Sequence, residues 1–293
     1  MAAWTAADVP SQTGRVAVIT GGNTGLGFET ARVLADRGAR VVVACRDPAK
    51  AKQAVGRLGG DTSYVRLDLG SLASVREAAA ELHTTLGRID LLVNNAGVMM
   101  TPAAVTEDGF ELQYATNYLG HFALTGLLLD LMVSVPGSRV VTLTSLMYWQ
   151  GQYPPSSRYS PTKAYGDSKL ADLMFAFELQ RRLAAAEAET ISLAAHPGYA
   201  STGLTRNLPA LVRIGSELSA PLLAQKAAMG ALPILRAAAD RAAKGGEFYG
   251  PRWLTRGYPV RVSALAKARD TEVAARMWRE SQESTGVQYS LAT

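Results

Sequence analysis

The stretch that most restricts the fold is Arg15-Val-Ala-Val-Ile-Thr20-Gly-Gly-Asn-Thr-Gly25-Leu-Gly27, an apolar run that breaks into glycines and gives way to a helical pattern from Phe28 to Arg37. A short apolar run bounded by turn residues predicts a buried strand. Glycines between a strand and a helix let the backbone approach a pyrophosphate, and the helix N-terminus behind them offers free N–H groups and the positive end of a dipole. The spacing is Thr-Gly-x-x-x-Gly-x-Gly; Thr30 stands where a Gly-x-Gly-x-x-Gly pattern would put its last glycine. Taken alone, the turn reads equally well as an ordinary glycine turn.

Downstream, strand and helix patterns alternate. Val41–Ala44, Tyr64–Leu67, Ile89–Val93, Arg139–Leu143, Thr190–Ala195 and Glu247–Tyr249 read as strands. Helical patterns fall between them, one opened by Asp47-Pro48 as N-cap and first-turn proline. Alternation of this kind predicts an α/β, doubly wound (Rossmann-type) parallel sheet of about seven strands with helices on both faces. With 293 residues, 48% of them hydrophobic, one domain over 1–293 is expected. Within it, the apolar segment at about 201–224 reads equally as a lid or as a packing or subunit contact, and about 251–293 as a C-terminal extension.

The same counts exclude several function classes. Lys and Arg exceed Asp and Glu by 30 to 25 but form no runs, so nucleic-acid binding is not implied. Cys45 is the only cysteine, which rules out an internal disulfide and a Cys-x-x-Cys site and makes a reducing cytoplasm the expectation. No His-Glu-x-x-His occurs, so no metal site is expected, and no apolar run is long enough to span a membrane. A serine hydrolase on Ser145 lacks Gly-x-Ser-x-Gly.

Chemistry is suggested by Tyr165-Gly-Asp-Ser-Lys169, because four positions on a helix put Tyr165 and Lys169 on one face. A lysine ammonium beside a phenol favours the phenolate, which makes the pair a candidate general acid/base. A second copy, Tyr159-Ser-Pro-Thr-Lys163, contains Pro161 and is not expected to share a helix face.

The glycine spacing together with Tyr165 and Lys169 resembles the short-chain dehydrogenase/reductase family. Further motifs follow in order over about residues 16–202: Asp68, Asn94-Asn95-Ala96-Gly97, Asn117, Ser145 and Pro197-Gly198. Ala44-Cys-Arg-Asp47 and His196-Pro-Gly-Tyr199 are similar to the retinol dehydrogenase-like subgroup. The resemblance implies an oxidoreductase in which Tyr165 passes a proton to or from the substrate oxygen. Lys169 would bond the nicotinamide ribose, Ser145 would polarise the carbonyl and Asn117 would hold a water linking Lys169 to solvent. It implies cofactor contacts at Gly21, Asn23, Thr24, Gly25, Leu26 and Gly27 in the turn. Asp68, Leu69, Asn94, Ala96 and Gly97 would serve the adenosine side, and Pro197, Gly198 and Thr202 the nicotinamide side. Ser145 and Tyr165 stand twenty residues apart, longer than usual for the family, which implies an inserted loop over 146–164.

An acidic residue about 20 positions beyond the glycine turn commonly pairs with the ribose of NAD, but Cys45-Arg46 closes the second strand here. A guanidinium there suits a 2′-phosphate, so NADP(H) is the expected cofactor. Met99, Met100, Met147-Tyr-Trp149, Tyr153 and the apolar 201–224 segment suggest a small-molecule partner that is an apolar carbonyl or alcohol, though Arg206 and Arg213 would equally suit an anion. A homodimer or homotetramer is compatible with the chain. The rival reading, a catalytically silent NADP-binding sensor, would not need Asn117, Ser145, Tyr165 and Lys169 together.

Overall fold

In a computed structural model the protein is described over residues 3–199 and 225–291. Eight strands form one sheet in the order β3-β2-β1-β4-β5-β6-β7-β8. They are β1 (Val16–Thr20), β2 (Arg40–Cys45), β3 (Thr62–Arg66), β4 (Leu91–Asn94), β5 (Arg139–Leu143), β6 (Ile191–Ala195), β7 (Phe248–Pro251) and β8 (Pro259–Arg261). The first seven run parallel, as the alternation predicts; β8 is an addition, folding back antiparallel on β7. It is three residues long and has no apolar alternation, so nothing in its sequence marks it.

Helices cover both faces. On one lie α1 (Gly25–Asp36) and α7 (Ala227–Ala239), whose Leu34, Ile234 and Leu235 pack on Ile19, Val43 and Val141. On the other lie α3 (Leu72–Thr85), α5 (Gly120–Leu128), α6 (Pro161–Ala185) and α8 (Thr271–Thr285), meeting Val18, Leu92 and Val140. Apart from β3 and β8, strand residues are buried on both sides, which is why they read as continuous apolar runs. Asp47 caps α2 (Pro48–Leu58) by accepting from the N–H groups of Ala49 and Lys50, and Ser71 caps α3. The chain winds outward from β1 to β3 and then returns to the other side of β1 at β4. That reversal opens a crevice at the C-terminal ends of β1 and β4.

The long helical stretch before β5 is interrupted. After α4 (Leu112–Tyr114), a π-helical turn over Ala115–Leu119 carries Asn117 before α5 begins. The C-terminal extension docks on α5 and α6: the Trp278 ring stacks on Phe175 and sits edge-on to Phe122, and Tyr289 donates to Phe122 O at 2.6 Å. No helix among the described residues is long and apolar enough to cross a membrane.

Candidate active site

The crevice is built around Thr20. Its Oγ1 accepts from the N–H groups of Asn95 and Ala96, both at 2.9 Å, which bolts the turn after β4 to the glycine turn after β1. His121 on α5 completes the joint. Its Nδ1 lies 2.7 Å from Asn117 O, an acceptor, so Nδ1 carries the proton and Nε2 accepts from Thr20 Oγ1 at 2.8 Å. Burial pushes His121 down to about 3, which keeps the ring neutral and this arrangement fixed.

The glycines of the first turn have little freedom to be anything else. A Cβ on Gly27 would lie 2.4 Å from Gly21 O and 2.5 Å from Asn95 Nδ2, and Gly21 and Gly25 hold φ of +65° and +57°. Thr24, the N-cap of α1, gives no side-chain cap bond, so the opening N–H groups are left for another acceptor. The residues present therefore fit a pyrophosphate.

Tyr165 and Lys169 share a face of α6, both buried, with Nζ 5.9 Å from the Tyr165 ring centroid. Nζ donates to Leu143 O at 3.0 Å and to Asp172 Oδ2 at 2.8 Å. Burial opposes the ammonium, but Asp172 and Tyr165 outweigh it and hold Lys169 above the usual lysine range. Burial dominates at Asp172 itself and raises its carboxyl despite Lys169. Gly97 closes the gap between elements: a Cβ there would sit 3.0 Å from Asn117 Oδ1 and 3.7 Å from Lys169 Nζ. Asn117 Oδ1 accepts from Val98 N–H, while Nδ2 donates to Val98 O and Ser168 Oγ. The Asn117 side chain is thus committed to neighbouring backbone and a serine.

Ser145 lies two residues beyond β5 and caps a 3₁₀ turn over Leu146–Gln150. Its Oγ accepts from Met147 N–H at 3.2 Å, which leaves the hydroxyl proton free to be donated. The turn is seated on α6, where a Cβ on Gly151 would come 2.2 Å from Gly166 O. Asp167 fixes the loop beyond. This buried carboxylate accepts from Gln152 N–H at 2.7 Å and Ser156 N–H at 3.0 Å.

Residues 15–211 match the short chain dehydrogenase family. The chain belongs to that family. It is 37% identical to human retinol dehydrogenase 13 over 94% of this chain and 86% of that protein. With mouse polyprenol dehydrogenase the identity is 39%, over 95% and 86% of the two chains. Among solved structures, an uncharacterized protein from Mycobacterium paratuberculosis superposes with a TM-score of 0.84 at 41% identity, covering 99% of this chain and 100% of that one. The Pseudomonas aeruginosa RhlG/NADP active-site complex gives 0.67 at 27% identity, over 82% and 95%. The chain is thus a retinol dehydrogenase-like oxidoreductase of the alcohol and carbonyl level, in a family that uses a nicotinamide cofactor.

Within this short-chain dehydrogenase the other expected residues are placed as follows. Arg46 directly follows β2, with its side chain 75% exposed and a guanidinium nitrogen 3.9 Å from Asp68 Oδ2. Asp47 is committed to capping α2. Asp68 Oδ1 accepts from Gly70 N–H, and Leu69 is buried with its carbonyl against Gly120. Asn94 turns its side chain away from the crevice and donates to Thr125 Oγ1 at 3.0 Å. Pro197 O accepts from Gln225 Nε2, and Gly198, at φ +67°, has no room for a Cβ beside Thr255 O. Thr202, Arg206, Arg213 and the 201–224 segment lie outside the described residues.

Two loop aromatics differ from the expectation that they face substrate. Tyr148 is buried and its hydroxyl accepts from Leu265 N–H, and Tyr153 donates to Glu280 on α8. Trp149 alone of that set is exposed, at 57%. Tyr159 precedes the helix, which starts at Pro161, and donates to Thr101 O at 2.5 Å while accepting from Gln113 Nε2 at 3.1 Å. The second Tyr-x-x-x-Lys is a loop anchor. Asp167 and Asp172 were not anticipated; an acid inside the run Leu170-Ala-Asp-Leu-Met-Phe175 was the available signal.

Proposed function

We propose that the chain transfers a hydride between NADP(H) and a rather large apolar carbonyl compound or its alcohol, with Tyr165 as general acid/base. The observation that carries this reading is the buried Tyr165–Lys169 couple beside the crevice, with Ser145 just beyond the adjoining strand. With the Lys169 ammonium beside its ring, Tyr165 takes a proton from an alcohol or returns one to a carbonyl oxygen. Ser145, whose acceptor side is occupied by Met147, donates to that same oxygen as charge develops on it. Asn117 holds the strand-end turn in place through Val98, and in this reading a water beside it would connect Lys169 to solvent.

When bound, the nicotinamide supplies or accepts the hydride. Gly21, Asn23, Thr24, Gly25, Leu26 and Gly27 would hold the pyrophosphate at the open N-terminus of α1. Asp68, Leu69, Ala96, Gly97 and the Asn94 backbone would line the adenosine side. Lys169 would hold the ribose, and Pro197, Gly198 and Thr202 the nicotinamide amide. NADP is favoured over NAD because Arg46 is exposed directly after β2 and Asp47 is occupied as a cap. The RhlG structure is an NADP complex, and two relatives are named for retinol and polyprenol, both apolar alcohols. The buried single cysteine suits a reducing cytoplasm.

The test is NADPH oxidation against aldehydes of increasing chain length. Catalytic efficiency should rise by up to about 0.8 kcal/mol per buried methylene, and Arg46→Asp should reverse the NADPH over NADH preference, because a charge-assisted contact is worth roughly 1.5–3 kcal/mol. A flat series, or equal use of both cofactors by the wild type, overturns the respective half of the reading.

A further inference from the structure

A buried polar knot lies behind Lys169. The side chains of Lys169 and Asp172 are only 5% and 1% exposed, and a buried ion pair holds its own against desolvation only when its remaining lone pairs are satisfied. Asp172 Oδ1 nevertheless has no hydrogen-bond partner among the described residues. Two further buried oxygens share that condition, Thr142 Oγ1 and Asn94 Oδ1.

Two of the three are neighbours by register, and the third lies on the helix above them. Asn94 of β4 pairs with Thr142 of β5, so their side chains emerge on one face of the sheet. That face is the one covered by α5 and α6. Asn94 Nδ2 donates to Thr125 on α5, and Thr144, two residues beyond Thr142 and on the same face, donates to Lys169 O. Ser192 of β6, which pairs with Val140, donates to Ala176 O. The helix therefore runs opposite to the strands, with residue 169 over 144 and residue 176 over the level of 140. Between those two fixed points the course of the helix brings Asp172 to about the level of Thr142. Two orphaned acceptors and one hydroxyl donor are the complement of a single water, which has two protons to give and lone pairs to receive.

We propose that Asn94, Thr142 and Asp172 hold one internal water beneath Lys169, and that Asp172, so fixed, is a positioning residue that sets the charge of the Tyr165–Lys169 couple. The second half rests on the reading of that couple as the acid/base pair. Ionised, Asp172 offsets the Lys169 charge and makes the couple harder to deprotonate. The two groups titrate together, so removing the negative charge lets their proton leave at lower pH whichever of them gives it up. Among the described residues, three further titratable groups that interact with the pair, Tyr114, Tyr118 and His121, carry no charge in the working range, and Glu280 lies beyond the two tyrosines. Burial raises Tyr114 and Tyr118 well beyond the usual tyrosine range, and keeps His121 neutral.

Two measurements test this on the full chain. A crystal structure of the unliganded wild type, at a resolution that reveals waters, should show one water within hydrogen-bond distance of all three oxygens; a dry site with those oxygens paired to protein atoms overturns the proposal. That structure also decides the matter if the variant below does not fold. The acid limb of kcat/KM for NADP-dependent alcohol oxidation should move to lower pH by about one unit in Asp172→Asn, and return toward the wild-type position in Asp172→Glu. A folded Asp172→Asn whose limb has not moved overturns the role of Asp172 while Tyr165→Phe remains inactive. An active Tyr165→Phe instead overturns the acid/base reading beneath it.

Discussion

Acid should weaken this fold more steeply than its surface charge suggests, because two of its three histidines are locked neutral inside it. Burial lowers His121 to about 3 and His196 to about 4. Unfolded, both titrate near about 6.5. Protons in the window between are taken up only by the unfolded chain, so the stability these rings contribute is complete above about pH 6.5 and is lost as pH falls toward their folded values. Each pH unit on one such group corresponds to ~1.4 kcal/mol, so between about pH 6.5 and about pH 5 the pair removes roughly 4 kcal/mol. That is a large part of the roughly 5–15 kcal/mol that holds a typical domain folded. Two groups oppose the trend. The buried Asp172 carboxyl, raised by burial to about 7, takes up its proton in the folded chain first, and His83, partly exposed beside Asp130 and shifted upward, adds weakly. The test therefore rests on the difference His121→Gln makes. Urea unfolding at several pH values gives the slope directly. His121→Gln should remove about half of the histidine contribution to it, the share of one of the two rings, whatever the variant's absolute stability. A slope between about pH 7 and about pH 5 left intact by His121→Gln would refute the reasoning.

Other consequences are local. Gly27→Ala puts a methyl group where the backbone oxygen of Gly21 leaves 2.4 Å, so the turn must open and NADPH affinity, read by fluorescence titration, should fall at least about tenfold (~1.4 kcal/mol,). Unchanged affinity would mean that the turn is not the pyrophosphate cradle. Tyr159→Phe removes the bonds to Thr101 and Gln113 and should cost about 1 kcal/mol in urea unfolding, with NADPH-dependent turnover changed by no more than about threefold. A collapse of turnover would show that the loop anchor takes part in the chemistry.

Much of the architecture was legible because it rests on local rules. The glycine turn, the Asp47-Pro48 helix start and the apolar runs of β1, β2 and β5 each carry their own signal. What escaped depends on contacts between distant segments. β8 exists because Val260 and Arg261 pair with Gly250 and Tyr249, not because three residues prefer to be extended. The π-turn at Asn117 is held by Val98 and by His121, which itself reaches Thr20. Helical charges are usually read as a solvated face, so Asp167 and Asp172 drew no attention, although one staples a loop and the other pairs with Lys169 under the sheet. The aromatic residues after Ser145 could be located in a loop but not oriented; Tyr148 and Tyr153 are held inward by Leu265 and Glu280.

The central claim is that Tyr165 moves the proton, and the comparison of Tyr165→Phe with wild type tests it most directly. Removing one hydroxyl from a buried ring leaves the glycine turn and Arg46 untouched. NADPH affinity should therefore stay within about tenfold (~1.4 kcal/mol,), while turnover of an aldehyde substrate falls by the roughly 10²-fold or more that accompanies loss of a general acid/base. A Tyr165→Phe protein that binds NADPH and reduces the aldehyde at the wild-type rate would contradict the account.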